Sequence, residues 1–424
     1  MNLSNLHSCP ILFLRNLDNS TKTYIIKAFL GAISLSLFIY LDFLGFENRA
    51  INTFFGLIGL YVALIVDKKG LFWYGFFVGL LWFWWISISF IYYELQYLIP
   101  FIVLFFAVLY GVLFFVTSYL DKFNLRFVGI FLLSFFEPMG FNWFKPEIVF
   151  VSSYLNANKI TLFVVLAFFA SFIYIKNHKI NPKFLLVFLI PFLFLADVKK
   201  SEVTLPNIKI KLVTMDTPQD LKWHREYQST LIGQNLREIE TAINEGYEVV
   251  VLPEATFALA LNVKEPLMDR LKELSYQIDI VTGGIYFDGT HHNNSTYFFS
   301  KGEVKIANKM VLVPFGEATP LPKFMVDWIN DTFYGGAEDF VPAVQPTDFE
   351  IKGVKFRNAI CYEATSKEIY EDNPKYVIAT SNNAWFLPSI EPNLQKLLMK
   401  YYAKKHHTVI YSVANGSKSE IIIF

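Results

Sequence analysis

The sequence predicts an α-helical transmembrane bundle followed by an α/β domain, and three observations carry that prediction. Of the 424 residues, 54% are hydrophobic, 18% aromatic and only 17% charged, too apolar a balance for a chain wholly in water. The apolar residues gather before residue 200 in long runs nearly free of charge. After Lys199-Lys200 charges become frequent, and short β-rich runs alternate with amphipathic ones, as in an α/β domain. The expected division is residues 1–200 as the membrane domain and 201–424 as a single α/β domain. The net charge is zero and no basic block stands out, so nothing points to a nucleic-acid partner.

In the first half, residues 1 to about 23 read as an uncleaved cytoplasmic lead-in, with Arg15, Lys22 and Lys27 near the first long apolar run. The patch Ile11 to Leu14 is too short for a signal-peptide core and lacks a small-residue cleavage site. Apolar runs at about 25–46, 51–66, 71–93, 97–120, 126–137, 157–175 and 183–197 give seven candidate spans, the fifth and seventh being short. Lys68-Lys69, Lys122 with Arg126, and Lys176, Lys179 and Lys183 all follow even-numbered spans. The positive-inside tendency then places the N-terminus in the cytoplasm and everything after about residue 198 outside. The cluster Phe72-Trp73-Tyr74 with Trp82-Phe83-Trp84-Trp85 reads as aromatic belts and lipid-facing bulk, with a groove for lipid chains as the alternative. Glu137-Pro138-Met139-Gly140-Phe141-Asn142-Trp143 reads as an outer loop whose carboxylate is either functional or a helix cap.

In the second half, strands are predicted at Ile208 to Met215, Glu248 to Leu252, Ile278 to Tyr286, Val354 to Ile360, Tyr376 to Thr380 and Val409 to Val413. Helices are predicted at Lys222 to Asn244, Pro266 to Gln277 and Glu391 to Lys405, and a hairpin at Ser295 to Ile306 turning at Lys301-Gly302. Gly283-Gly284 follows a strand without the spacing of a dinucleotide loop, so close backbone approach is the better reading.

The chemistry gathers where strands end. Asn358-Ala359-Ile360-Cys361-Tyr362-Glu363 puts a thiol at the end of an apolar strand with a carboxylate two residues on. The only other cysteine, Cys9, falls on the opposite side of the membrane in this topology, so Cys361 has no disulfide partner in its domain. A lone thiol in an oxidising compartment leans toward a nucleophile, although a buried cysteine can also be a small hydrophobe. Val250-Val251-Leu252-Pro253-Glu254 and Ala307-Asn308-Lys309-Met310 likewise end strands, which is where α/β domains collect their sites. Singly, Glu254 and Lys309 read as solvated strand ends. Together with Cys361 they make a base, a cation and a nucleophile. His291-His292 and His406-His407 lack a suitably spaced carboxylate, so no metal is expected, and no cofactor either.

The set Glu254, Lys309, Cys361, with Pro253 before the glutamate and Tyr362-Glu363 after the cysteine, resembles the nitrilase or carbon-nitrogen hydrolase superfamily. With a multi-span region ahead of it, the chain is similar to the apolipoprotein N-acyltransferase family. The markers are Asn308-Lys309 followed by Glu317 in Val313-Pro314-Phe315-Gly316-Glu317, the Ile360-Cys361-Tyr362-Glu363 motif, and Ser381-Asn382-Asn383-Ala384-Trp385-Phe386. The resemblance implies an α-β-β-α sandwich for the outer domain and a bacterial inner-membrane location with that domain in the periplasm. It also implies a closing transmembrane helix, for which Ser419 to Phe424 is too short.

The implied reaction is ping-pong acyl transfer. Cys361 takes an acyl chain from a membrane phospholipid as a thioester and passes it to the α-amine of a diacylglyceryl-cysteine apolipoprotein. Glu254 would be the base, and Lys309, with a backbone N–H near Cys361, would hold the oxyanion. Glu317, Glu363, Tyr362 and Asn294 would support the set. Two rivals remain: a membrane-tethered amidase using the same three residues with water, and a non-catalytic scaffold for lipidated proteins.

Overall fold

The computed structural model describes residues 19–181, 183, 195–197, 203–333 and 339–424. It divides into two compact units. The first comprises residues 1–87, 97–136 and 145–198; the second takes residues 199–424 together with 88–96 and 137–144.

The first unit is built from α1 (Asn19–Phe43), α2 (Arg49–Ile65), α3 (Lys68–Phe83), α4 (Ile99–Thr117), α5 (Arg126–Leu133) and α6 (Lys159–Asn177). Three of these start on side-chain caps that accept otherwise unpartnered N–H groups: Asn48 from Ala50 and Ile51, Asp67 from Gly70, and Asn158 from Thr161. Among the described residues, four helices (α1, α3 and α4 with their 3-10 extensions, and α6) are long and apolar enough to cross a membrane. Helix α2 is apolar but shorter, at 17 residues. The fifth candidate run is helical only over the eight residues of α5, about 12 Å of rise. Most of the seventh run lies outside the described residues.

Part of the aromatic cluster departs from the expectation of lipid-facing bulk, while Phe72, Trp73 and Trp84 stay half-buried. Tyr74, Trp82 and Phe83 are fully buried inside this unit, where the Tyr74 hydroxyl donates to the Gly59 carbonyl and Trp82 Nε1 to Ser36 Oγ. Close helix packing makes this possible: a Cβ on Gly75 would lie 2.3 Å from the Tyr110 carbonyl oxygen, so only glycine lets α3 and α4 approach.

The second unit contains β1 (Ile210–Leu212), α7 (Gln219–Lys222), α8 (Arg225–Asn244), β2 (Val249–Val251), β3 (Phe257–Ala260), α9 (Glu265–Leu274), β4 (Asp279–Phe287), β5 (His292–Ser300) and β6 (Glu303–Asn308). It continues with α10 (Lys323–Phe333), β7 (Asp348–Ile351), β8 (Val354–Ile360), β9 (Tyr376–Asn382), α11 (Glu391–His406), β10 (Val409–Asn415) and β11 (Glu420–Ile422). One sheet runs β1-β2-β4-β5-β6, with β3 also pairing β4; the other runs β11-β10-β9-β8-β7.

Alternation along the strands decides the layering. Val249 and Val251 meet Phe356, Ile378 and Val413 of the other sheet, whereas Val250 between them faces Ile239 of α8 and Leu271 of α9. Helix α11 buries Leu394, Leu397, Leu398 and Tyr402 on the second sheet's outer side and contacts β10 and β11. The result is the α-β-β-α sandwich that the resemblance implied. The helix expected over Lys222–Asn244 starts at Arg225, and Lys222 instead ends the short α7 before the break at Trp223-His224. Lys222 turns inward and donates to the Glu254 carbonyl oxygen at 3.0 Å, while Trp223 and His224 are exposed.

Residues 137–144, anticipated as an outer loop, pack within this second unit. The Tyr362 hydroxyl donates to the Gly140 carbonyl and accepts from the Asn142 N–H, and the Tyr362 ring lies nearly parallel to Phe141 and Trp143. Trp143 Nε1 donates to Thr365 Oγ1, and Asn142 Nδ2 to Ser366 Oγ. Residues 88–96 do likewise: the Tyr92 hydroxyl donates to the Ala384 carbonyl, and Tyr93 stacks on Trp385.

Candidate active site

Each reactive side chain leaves the end of a strand. Strand β8 ends at Ile360, and Cys361 follows with φ +53°, a left-handed conformation that costs a non-glycine residue roughly 1–3 kcal/mol. Glu363 maintains that turn: its Oε1 accepts from the Ile360 N–H at 2.7 Å, and its Oε2 from the Met310 and Val311 N–H groups at 2.8 and 3.1 Å. One buried carboxylate thereby ties the Cys361 turn to the segment carrying Lys309.

Strand β2 runs into Leu252-Pro253-Glu254, beneath which β4 passes at backbone distance. A Cβ on Gly283 would fall 2.3 Å from the Ala255 nitrogen, so the close approach read from Gly283-Gly284 is a requirement of this turn. Both Glu254 oxygens are held: Oε1 accepts from Asn294 Nδ2 at 2.7 Å, and Oε2 from the Asn382 N–H at 2.8 Å, at the end of β9.

Lys309 follows β6 and is 1% exposed, so its charge demands partners. Its Nζ lies 2.7 Å from Glu317 Oε2 and 3.8 Å from Glu254 Oε1. Asn294 Nδ2 reaches Glu317 Oε1 at 2.8 Å, so one amide bridges the two carboxylates. Burial works to lower the Lys309 pKa, but Glu317 and Glu254 outweigh it and raise the value. The amine is therefore a fixed cation.

Burial and the Glu254 carboxylate push the Cys361 thiol well up, while Lys309 pulls it back. A resting thiol that ionises only with help needs a base at hand. The structure thus brings the seven residues singled out in the sequence together: Glu254, Asn294, Lys309 and Glu317 in one network of contacts, Glu363 holding the turn of Cys361, which feels the charges of Glu254 and Lys309, and Tyr362 bonded to Gly140 and Asn142. Sequence reasoning missed three buried polar groups here. Lys222 has its pKa lowered to about 8 by burial, against the pull of Glu254 and Cys361. Glu391 and Gln395, each 1% exposed, lie one turn apart on α11. Their i, i+4 spacing on an otherwise apolar helix face was the available signal.

Comparison with known proteins places the chain in a family. Residues 22–196 match the model of the apolipoprotein N-acyltransferase integral membrane domain. The apolipoprotein N-acyltransferase of Wolinella succinogenes is 42% identical over 396 residues, covering 93% of this chain and 95% of its own. That of Campylobacter jejuni is 41% identical over 414 residues, covering 96% and 91%. An amidase from Nesterenkonia sp. aligns with 53% of this chain and 83% of its own at 14% identity and a TM-score of 0.37. The 42% and 41% identity to two apolipoprotein N-acyltransferases along nearly the whole length shows that the chain belongs to the apolipoprotein N-acyltransferase family.

Proposed function

We propose that this membrane enzyme transfers an acyl chain from a phospholipid, through a thioester on Cys361, to the N-terminal α-amine of diacylglyceryl-cysteine apolipoproteins. It would act in the bacterial inner membrane with its second unit in the periplasm. The observation that carries the reading is the convergence of Glu254, Lys309 and Cys361 in a unit belonging to a chain of this family.

In the first half-reaction Glu254 takes the thiol proton and Cys361 Sγ attacks the ester carbonyl carbon. Lys309 balances the charge that develops on the carbonyl oxygen. The ester C–O bond then breaks, and the proton on Glu254 passes to the leaving alkoxide, releasing a lysophospholipid. In the second, the acceptor amine attacks the thioester, Glu254 takes the amine proton, and the C–S bond breaks. The thiolate recovers that proton. Glu317 and Asn294 fix the Lys309 and Glu254 positions throughout, and Glu363 maintains the Cys361 turn. No residue in this scheme requires a cofactor.

Intact-mass measurement of the purified protein with phospholipid tests the reading. The expected result is one added acyl group in the parent, none in Cys361→Ser, and its loss on adding a diacylglyceryl peptide. Acylation of folded Cys361→Ser would sink it. Release of the acyl group as free fatty acid at the same rate without acceptor would favour the amidase-like rival.

A further inference from the structure

We infer that Gln395 is a hydrogen-bond donor to the catalytic sulfur: its amide stabilises Cys361 whenever Sγ carries charge, first as nucleophile and again as leaving group. The inference rests on reading Cys361 as the nucleophile. Gln395 Nε2 lies 3.7 Å from Cys361 Sγ, within donor range for sulfur. Gln395 sits on the buried face of α11 among Leu394 and Leu398, where an amide is costly unless both its ends are used.

Both ends are used, and their order is fixed. Gln395 Oε1 accepts from Asn383 Nδ2 at 3.2 Å, and the same Nδ2 donates to Ser417 Oγ at 3.0 Å. With the carbonyl end engaged by a donor, the NH₂ end is the one that faces the sulfur. Asn383, from the Ser381-Asn382-Asn383 motif, is thereby a positioning residue for Gln395.

The groups around the sulfur show why a neutral donor is useful. Glu254 from the β2 end, Glu317 from the loop after β6 and Glu391 from α11 oppose ionisation of the thiol, and Lys309 favours it. Lys222 from α7 is coupled to Cys361 as well. Glu391 is itself kept toward its uncharged form by burial and by Glu254. Lys309 is committed to Glu317 and to the developing oxyanion, so an amide can stabilise the thiolate without competing for that cation. A thioester sulfur accepts hydrogen bonds poorly. The contact therefore strengthens in transition states where sulfur carries charge, the condition under which binding accelerates a reaction.

The test is the pH dependence of Cys361 alkylation by iodoacetamide in the full-length protein, in a Cys9→Ser background and without any lipid. In Gln395→Leu and Gln395→Met the profile should move up by about one pH unit, and the rate at neutral pH should fall roughly tenfold, the scale of one lost hydrogen bond to a charged group. Asn383→Ala should shift it the same way by less. Unchanged profiles in folded Leu and Met variants would overturn the inference. Because no acyl donor is used, failure of the acyltransferase reading would show in the acylation assay and leave this readout intact.

Discussion

Lys309 and Glu363 are both buried ionisable groups, yet the contacts around them call for different experiments. Lys309 has carboxylates 2.7 and 3.8 Å away, and its proposed task is to meet a charge that exists only during reaction. Lys309→Met should therefore slow thioester formation by two to three orders of magnitude, as for a removed oxyanion donor, when acylation is followed by mass. A parental acylation rate would reduce Lys309 to a structural ion-pair partner. Glu363 instead accepts three backbone N–H groups, and burial still pushes its pKa up to about 7, against the pull of Lys309 and those amides. A carboxyl with a raised native pKa holds its proton more tightly when folded. Its contribution is thus fully present below the ordinary value of 4.5 and is lost as pH rises through about 7. The interval corresponds to at most about 3 kcal/mol. Glu363→Gln should flatten the fall in melting temperature between those pH values, and should lower stability overall because its NH₂ would confront an N–H donor. An identical pH slope in parent and variant would show that Glu363 does not titrate there.

The elements divide into those that the residue pattern made plain and those that depend on distant partners. Strands β9 and β10 were legible because each opens on a continuous apolar run bounded by turn residues, β8 because Val354 and Phe356 alternate with Lys355 and Arg357 before Ala359-Ile360, and the Ser295–Ile306 hairpin because Lys301-Gly302 supplies two positive φ angles at its turn. Strands β3, β7 and β11 were not, because four residues or fewer give no readable period and pairing with a neighbour defines them. The proposed trio of Glu254, Lys309 and Cys361 was legible from residue type at strand ends. The α11 contribution was hidden, since Gln395 gains meaning only when Asn383 and Ser417 are brought beside it. Residues 137–144 were read through the Glu137 carboxylate alone, as functional or a helix cap, and neither reading foretells that the segment packs on Tyr362, Thr365 and Ser366. Tyr362→Phe tests the protein contact. It keeps the stacking with Phe141 and Trp143 but strips the Gly140 carbonyl and Asn142 N–H of their partner, which should cost about 1–3 kcal/mol. A melting temperature equal to the parent's, with unchanged protease resistance across 137–144, would show that the hydroxyl contributes nothing.

At the scale of the whole molecule, the membrane half is the part that hydropathy alone resolves least. Hydropathy reports how long an apolar run is, and says nothing of whether a neighbouring helix, lipid or another unit covers it. Tyr74 and Trp82 are buried within the helical unit, and Tyr93 stacks on Trp385 in the second unit, yet all three lie in one apolar stretch of sequence. Charge is the better guide to sidedness, because Lys and Arg resist translocation whatever the intervening helices pack against. Lys68-Lys69 and Lys122 with Arg126 follow α2 and α4, and Lys176 and Lys179 lie at the end of α6 and just beyond it; a common cytoplasmic side for all three requires residues 126–158 to cross once as well as α6, although α5 itself rises about 12 Å. The proposal of a periplasmic second unit then requires one further crossing between Lys179 and the start of β1. Cysteines introduced beside Lys68 and beside Lys301, each in a Cys9→Ser background, should be labelled by an impermeant maleimide from opposite sides of intact inner-membrane vesicles. Labelling of both from one side would remove that crossing and place the Cys361 site in the cytoplasm, where a lone cysteine is unremarkable and the argument from its isolation would no longer hold.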